Sequence, residues 1–496
     1  MNKTRNEDQT RSYKSFVAAR TQRNPCFQNL HEFIQNDTIS QDACRIACLE
    51  FSSAYGLPSR RNLDLDSLTS LLGNEAKERD DLWGRLLIVE DVSNDVVETL
   101  GSLLNIDPFF FASHIDTSQI DIATIRPSMA TLPSTRRSQN FLNLHYHRVI
   151  EFENVEPKQT LLRDMNLPRK VKILPKLKGI NIGLARHCCS ILKTEGKDGL
   201  WLGLILVDAP ISNSYILRRR ENESTSTFTL QTRLFQGGFQ DFLSGPLFSD
   251  NIDPESGPTR SSLLETFIFY WAVEQPQGFD VTCPTLFSLS YYPLRIIAAE
   301  WMTYLELMYH SIKQYEYSPD TVLASLEHIA ILTADIYALQ QWARRSIATA
   351  QKIRYVIEFL RYHMTKDEDM DSSALLIEDY EQIASSIDAY SRRLEAMVSI
   401  ATSLIQAIDC RRSLTETINI SRLTYLALSF IPLTFVSGLF SMNDNIAPGG
   451  KLFGLYFAVS IPLCILVFLI VHPPTSASVV FAARIWRSRA IQNFIV

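Results

Sequence analysis

Cysteine and histidine side chains, the commonest ligands of zinc in proteins, occur in this sequence in short groups. A structural zinc site needs four such ligands, and none of the groups continues into a second pair at zinc-site spacing. The histidines also fall in predicted strand or loop segments with no third ligand nearby in sequence. We therefore expect structural roles and reduced thiols for these residues. The groups are Cys44 with Cys48, His145 with His147, and His187 with Cys188 and Cys189.

Patterns for other chemistry are missing as well. The sequence has no glycine-rich phosphate loop, no nucleophile elbow and no metalloprotease helix, so we expect neither an enzyme nor a resident cofactor. A net charge of −6 over 496 residues gives no basic face for nucleic acid. With 46% hydrophobic and 21% charged residues, the composition is typical of a globular protein. A membrane-embedded part must therefore be a small fraction of the chain.

Two long uncharged stretches lie close to the C-terminus. The first, Leu423 to Asn443, has 21 residues, and a helix of that length rises about 31 Å, enough to cross a bilayer core. The second begins at Leu452 and ends at Val471. Both are apolar all round, which distinguishes them from amphipathic helices of a soluble core. They predict a transmembrane hairpin. Arginines flank its outer ends, at Arg411, Arg412, Arg422, Arg484, Arg487 and Arg489, so both termini should be cytosolic.

Upstream of the hairpin the sequence predicts an α+β (α/β) cytosolic domain. The run from Arg85 to Glu90 predicts a buried strand, and Ser93 is a suitable N-cap for a helix through Leu104. Further strands are predicted at 142–152, 180–184 and 200–207, whereas polar stretches at 117–139 and 212–227 predict exposed loops.

Long helices follow from about Pro293. The most regular carries a heptad stripe with spacings of four and three, which we interpret as a seam for helices of the same chain or, as a coiled coil, of partner chains. The stripe consists of Leu376, Tyr380, Ile383, Ile387, Tyr390, Leu394, Met397, Ala401, Leu404 and Ile408. The predicted divisions are a partly ordered extension (1–80), the cytosolic domain (81–290), a helical stalk region (291–422), membrane helix one (423–443), an extracytosolic loop (444–451), membrane helix two (452–471) and a basic cytosolic tail (472–496).

The run from Leu423 to Asn443, LTYLALSFIPLTFVSGLFSMN, resembles the first transmembrane helix of CorA-type magnesium transporters. The family pattern has an LT start, an F-[IM]-PLTF core and an aromatic-Gly-Met-Asn end. The similarity is specific over residues 370–475, including Leu375 to Asp379. Upstream, the VED that ends at Asp91 and the run from Ile106 to Phe110 are similar to fungal members. The signature departs at one position, where Ser441 replaces glycine.

The resemblance implies a homopentameric channel in the membrane for divalent cations, most of all Mg²⁺. The first helices would line the pore and the second would face lipid. Its selectivity filter would comprise Ser441, Met442 and Asn443, the asparagine holding the hydrated ion through its amide oxygen. Leu423, Ile420 and Ile431 would form apolar constrictions that gate by dewetting. The implied pore-lining set is Thr417, Ile420, Leu423, Ile431, Thr434 and Gly438.

Regulation in the family involves divalent ions bound between cytosolic subunits, and Glu378, Asp379 and Glu381 are candidate ligands here. As surface carboxylates they could equally form a solvated face, as could the acidic turn 367–371. Two other functions stay open. One is a transporter similar to ZntB that moves zinc. The other is a non-conducting membrane sensor or scaffold, favoured by Ser441 because a left-handed backbone there would strain a serine and five hydroxyls would crowd the pore mouth. A plasma membrane is the expected location.

Overall fold

The computed structural model describes residues 12–36, 43–52, 56–73, 81–116, 131–137, 139–153, 160–217, 226–243, 257–316, 326–364, 370–441 and 453–471. The chain divides into two compact units, residues 1–399 and residues 400–496. The predicted loop 444–451, the predicted tail 472–496, and Met442 and Asn443 of the predicted filter lie outside the described residues.

Strands and helices of the first unit are as follows. The strands are β1 (Arg45–Ser52), β2 (Ser59–Leu63), β3 (Leu82–Glu90), β4 (Phe141–Phe152), β5 (Thr160–Arg163), β6 (Lys170–Ile173), β7 (Asn181–Glu195), β8 (Trp201–Val207), β9 (Ser214–Leu217), β10 (Ser226–Thr229) and β11 (Thr232–Leu234). The helices are α1 (Tyr13–Arg23), α2 (Gln28–Ile34), α3 (Leu65–Gly73), α4 (Asn94–Leu104), α5 (Pro108–Ile115), α6 (Pro133–Arg137), α7 (Leu263–Val273), α8 (Leu286–Glu316), α9 (Leu326–Met364) and α10 (Met370–Phe440), which continues into the second unit.

Within the described residues, all of these strands join one mixed sheet. Its order is β10-β9-β5-β6-β7-β8-β3-β1-β2, and β4 pairs with β7 and β11. The pair β3 and β8 is parallel, whereas the other pairs are antiparallel. β8 is a continuous run of buried residues and β3 is buried from Gly84 to Glu90, as expected for strands covered on both faces.

Helices cover both faces of this sheet because side chains alternate along a strand. Leu86 and Ile88 of β3 point into a core shared with residues of α7 to α10. Leu87 and Val89 point into a second core, built with residues of α1 to α5. The first unit is therefore a three-layer α/β structure, in agreement with the predicted fold class.

The strand-to-helix unit that opens the predicted cytosolic domain is confirmed. β3 ends at Glu90, and the Ser93 side chain accepts a hydrogen bond from the Val96 amide at the start of α4. The other predicted strands correspond to β4, the first part of β7, and β8. β7 runs eleven residues beyond Leu184, to Glu195.

The structure differs from expectation in two segments. Residues 1–80 were expected to be a partly ordered extension, yet β1 pairs with β3 in the sheet and α1 to α3 contribute to the second core. The stretch 212–227 was expected to be an exposed loop, yet it holds β9 and the start of β10. In both segments a strand forms because it pairs with a strand that is distant in the sequence. β9 adds to β5 and buries Tyr215, although its flanks are polar.

The heptad stripe packs within the chain over its first part. Leu376, Tyr380, Ile383 and Ile387 belong to the same core as α8 and α9, and the Tyr380 hydroxyl donates to the Leu294 carbonyl at 2.9 Å. Met397 packs against that core as well. Of the two interpretations of this stripe, same-chain packing therefore holds for residues 376–397.

The second unit contains the end of α10 and α11 (Phe453–Val471). Together they correspond to the predicted hairpin. By length and composition, one described helix, Ala374–Phe440, could cross a membrane, and the apolar part of α11, Gly454–Leu469, is shorter.

A buried ion pair attaches α8 to the sheet. Arg148 of β4 donates from Nε to a Glu300 carboxylate oxygen at 2.7 Å, and its other nitrogens donate to the Ser261 and Arg260 carbonyls. Both side chains are buried. Burial raises the pKa of Glu300, and the Arg148 guanidinium opposes that rise. An unpaired guanidinium at this position would be costly, because its solvation by water has been lost.

We expect Glu300→Ala to lower the free energy of unfolding by about 3–5 kcal/mol, because it leaves the buried Arg148 charge without its carboxylate. Glu306→Ala on the same helix is the matched control. It removes a half-exposed carboxylate paired with His310 and should cost less than about 1 kcal/mol. Denaturant unfolding of the purified protein measures both changes, and equal losses would contradict a special role for the buried pair.

Candidate functional site

The last turns of α10 carry the residues that the sequence predicts to line a pore. This segment is uncharged from Leu423 to Ser441, and its helix continues through Pro432. Its hydroxyl side chains do not break the helix, because they bond to the helix's own carbonyls. Thr424 donates to the Ile420 carbonyl at 2.9 Å and Ser429 to the Leu426 carbonyl at 2.9 Å.

One face of this segment packs against α11, and we call it the docked face. The Tyr456 hydroxyl donates to the Leu433 carbonyl at 3.4 Å, and the Cys464 thiol lies 3.7 Å from the Ser429 carbonyl oxygen. The rings of Tyr425 and Phe468 stack with centroids 6.0 Å apart. Val436, on the same face, is only 3% exposed.

The sequence did not predict the docked face. The sequence pattern that could have predicted this face is a set of aromatic and small polar residues at helical spacing in an otherwise aliphatic segment. This set fixes the rotation of α10 relative to α11. It therefore also determines which side chains of α10 stay uncovered.

The predicted pore-lining residues lie together on the opposite side of α10, which we call the open face. At about 100° per residue they fall within an arc of about 120°, centred roughly opposite the docked face. Ile420, Leu423 and Ile431 are 63%, 66% and 67% exposed in the single chain. The open face comprises Thr417, Ile420, Leu423, Ile431, Thr434, Gly438 and Ser441, all of them exposed.

Thr434 and Thr417 offer hydrogen-bond acceptors on the open face. The Thr434 hydroxyl donates to the Phe430 carbonyl at 2.7 Å, and the Thr417 hydroxyl donates to the Ser413 carbonyl at 2.7 Å. A hydroxyl has one proton to give, so each oxygen is left with lone pairs only. These two side chains can therefore accept hydrogen bonds from water, including the water shell of a cation, but cannot donate to it.

Gly438 and Ser441 have ordinary backbone conformations. Gly438 has no side chain, and a Cβ added there would meet nothing within 4 Å. The open face therefore carries the least side-chain volume at this height. Among the described residues, Ser441 is not one of the non-glycine residues with positive φ, and its amide continues the helix by donating to the Ser437 carbonyl at 2.9 Å. The strain that a left-handed serine would suffer is therefore not present at this position.

The acidic candidates near the start of α10 are mostly engaged with arginines. An Asp379 oxygen lies 3.1 Å from Arg295, and a Glu381 oxygen lies 2.6 Å from Arg361. Burial raises the pKa of Asp379, Arg295 lowers it, and Glu378 raises it further. No group of three His, Cys, Asp or Glu residues placed to hold a metal occurs in the described part of the chain. Most of the acidic turn, residues 365–369, lies outside that part.

Of the histidines and cysteines singled out in the sequence, His145 and His147 lie on β4 and the 187–189 group lies on its partner β7, whereas Cys48 lies on β1 and Cys44 just before it. His145 of β4 faces Cys188 of β7 in the register, and Tyr146 faces His187. Arg163 lies 2.9 Å from Nε2 of His187. Burial lowers the pKa of His187, and the nearby Arg163 lowers it further. The Nε2 lone pair of His187, which a metal would need, is therefore already used by the Arg163 guanidinium.

We expect water to reach the open face and not the docked face. In a background with the exposed Cys283 and Cys410 replaced by serine, Thr434→Cys should react with a charged, membrane-impermeant thiol reagent. Val436→Cys, two residues away, should stay unlabelled because α11 covers it. Labelling measured by mass spectrometry in proteoliposomes gives the comparison. Labelling of Val436→Cys without Thr434→Cys would contradict the assignment of the two faces.

A comparison with protein families matches the part of the chain that carries the open face. Residues 283–472 match the family model described as CorA-like Mg²⁺ transporter protein. That range begins just before α8 and ends just after α11, so it includes the open face. No curated protein matches the chain.

Among solved structures, the chain is similar to the complete structure of the CorA magnesium transporter from Methanocaldococcus jannaschii. The identity is 11%, the alignment covers 86% of this chain and 96% of that chain, and the TM-score is 0.35. This likeness is too distant to support details of fold or function. The match of residues 283–472 to the CorA-like Mg²⁺ transporter family model includes the run from Leu423 to Asn443 and confirms the resemblance of that run to the CorA family.

Proposed function

We propose that this protein is a membrane channel that carries divalent cations, above all Mg²⁺, through a pore made by the open faces of several α10 helices. The observation that carries the proposal is the position of that face. It combines apolar, small and hydroxyl side chains, lies opposite α11, and is exposed in the single chain. The match of residues 283–472 to a transporter family points to the same segment.

Several copies are needed because one hairpin cannot enclose a path. α11 covers only one side of α10, so an ion beside the open face of a single chain would be in contact with lipid. Placing a charge in the hydrocarbon core costs several kcal/mol or more. A ring of α10 helices with the open faces turned inward removes that cost, since the lipid then meets α11 and the remaining surface. The resemblance favours five copies.

Selection in such a pore would act on the hydrated ion. Mg²⁺ gives up its water shell reluctantly, and that shell presents O–H donors outward. The Thr434 oxygens have only lone pairs to offer and suit those donors. Gly438, one turn nearer the helix end, adds no side chain and leaves room for the water shell. At the mouth we propose a ring of Asn443 amide oxygens, with Ser441 and Met442 beside it, as the filter.

Leu423, Ile420 and Ile431 would supply the gate. These side chains project from the open face at separate heights of the helix. A narrow ring of apolar side chains excludes water and hence a hydrated ion, so a small widening is enough to switch conduction. Thr417 would then offer a polar site beyond the constrictions on the cytosolic side.

The membrane potential would drive uptake without a cofactor. Two charges that cross an inside-negative potential of about 100 mV gain roughly 4.6 kcal/mol, enough for more than thousandfold accumulation. The arginines at 411, 412 and 422 support a cytosolic start of the span by the positive-inside rule, and we propose that both termini are cytosolic. The resemblance to the CorA family favours a plasma membrane as the location.

Two alternative functions differ from this proposal, one in the ion that is transported and the other in that no ion is transported. Zinc transport of the ZntB type would use the same open face, so a comparison of Mg²⁺ with Zn²⁺ flux separates it from the main proposal. A non-conducting scaffold was favoured by strain at Ser441. The ordinary backbone of that serine removes the strain, so the crowding of the pore mouth by one hydroxyl from each copy is the argument left for a scaffold. The presence or absence of flux decides between the two functions.

We expect Gly438→Leu to reduce Mg²⁺ uptake into proteoliposomes at least about tenfold, because a leucine from every copy would fill the pore at that height. A Cβ added at this position meets nothing within 4 Å in the protomer, so folding should be preserved. Gly454→Leu on α11 is the matched control, since it too has open space around it and lies away from the open face.

Uptake is measured under an imposed inside-negative potential with a fluorescent Mg²⁺ indicator, and circular dichroism checks the fold of each variant. Equal uptake by Gly438→Leu and the wild type, with Gly454→Leu also unchanged, would exclude the open face as the conduction path.

A further inference from the structure

Each helix of the hairpin contains a proline, and both helices continue through it. Pro432 lies in α10 and Pro462 lies in α11. Proline has no N–H, so the backbone hydrogen bonds to the Leu428 and Ala458 carbonyls, four residues earlier, cannot form. Each helix therefore has a gap of one bond in its hydrogen-bond ladder, and a helix bends most easily at such a gap.

The two gaps lie at the same height of the hairpin. The contacts of Cys464 with the Ser429 carbonyl and of Tyr456 with the Leu433 carbonyl fix the antiparallel register of α10 and α11. The α10 gap is centred at residue 430, which this register places opposite residues 459–463. The α11 gap is centred at residue 460. The hairpin therefore has one weak level shared by its two helices, at the height of Ile431.

The two prolines also face the same direction. Pro432 is buried one turn before Val436 of the docked face, so its ring points towards α11. Pro462 is exposed and lies about 200° around α11 from the buried Ser460, so its ring points away from α10. A proline ring clashes with the carbonyl one turn earlier, so a helix bends with the proline on its convex side. Both bends are therefore convex on the side away from the open face.

We propose that Pro432 and Pro462 form a single hinge, and that bending of the whole hairpin at this level moves the Ile431 gate. Because the two bends have the same direction, α11 can follow α10 while the contacts of Tyr456 and Cys464 with α10 are kept. A bend that is convex away from the open face moves Ile431 outward from the axis of the proposed pore. The bent hairpin is then the conducting form and the straight hairpin the closed form.

The role of this hinge rests on the proposed channel, and it gives a part in gating to Pro462, which faces away from the conduction path. Pro432→Ala and Pro462→Ala each supply the missing N–H and favour a straight helix, so both variants should fold. Mg²⁺ uptake into proteoliposomes under an inside-negative potential should fall at least about threefold in each. One added backbone hydrogen bond per copy shifts the equilibrium between bent and straight forms by about that factor or more.

Leu466→Ala is the matched control. Leu466 is exposed on the same side of α11, one turn after Pro462, and its substitution leaves the hydrogen-bond ladder unchanged. This variant should take up Mg²⁺ as the wild type does. The variant that lacks both prolines should lose less than the product of the two single losses, because the prolines act as one unit. Losses that multiply fully would contradict a shared hinge.

Thiol labelling at the gate gives a readout that does not depend on ion flux. In the background without Cys283 and Cys410, Ile431→Cys should react with a membrane-impermeant thiol reagent at least about threefold more slowly when Pro462→Ala is added. Uptake and labelling that are both unchanged by Pro462→Ala would overturn the hinge and leave the channel standing. No Mg²⁺ uptake by the wild type would instead contradict the channel, and the labelling rate then still decides whether Pro462 controls water access at Ile431.

Discussion

The cost of exposing a divalent cation to hydrocarbon is the constraint on which the membrane part of this protein depends. A single helical hairpin can satisfy its own backbone, but it cannot surround an ion. In this chain α11 occupies one side of α10 and leaves a continuous strip from Thr417 to Ser441 uncovered. The strip carries apolar side chains, hydroxyls and a glycine. In the proposed channel several copies turn this strip inward, away from lipid.

What a polar side chain can still bind depends on the hydrogen bonds that it has already made. The hydroxyls of Thr434 and Thr417 donate their protons to carbonyls of their own helix. Their oxygens can therefore only accept hydrogen bonds, which suits the water shell of a cation. The hydrogen bonds already made within the chain therefore determine what these two side chains can still bind.

Local pattern was sufficient to predict the elements whose signals are contained in the chain itself. The strand at Arg85 to Glu90, the Ser93 cap and the apolar hairpin helices are of this kind, as is the CorA-like run ending at Asn443. β1 was missed because it becomes a strand by pairing with β3, some forty residues away along the sequence. The docked face was missed for a related reason, since it brings together residues of α10 and α11 that no spacing rule connects.

The central claim is that the open faces conduct a divalent cation through a filter of Asn443 side chains. The most direct measurement is Mg²⁺ and Zn²⁺ uptake by the purified protein in liposomes under an inside-negative potential, for the wild type and Asn443→Ala. We predict Mg²⁺ flux in the wild type that is lost in the variant while the protein still assembles. No flux of either ion in an assembled wild-type protein would contradict the channel, and undiminished Mg²⁺ flux in Asn443→Ala would contradict the filter.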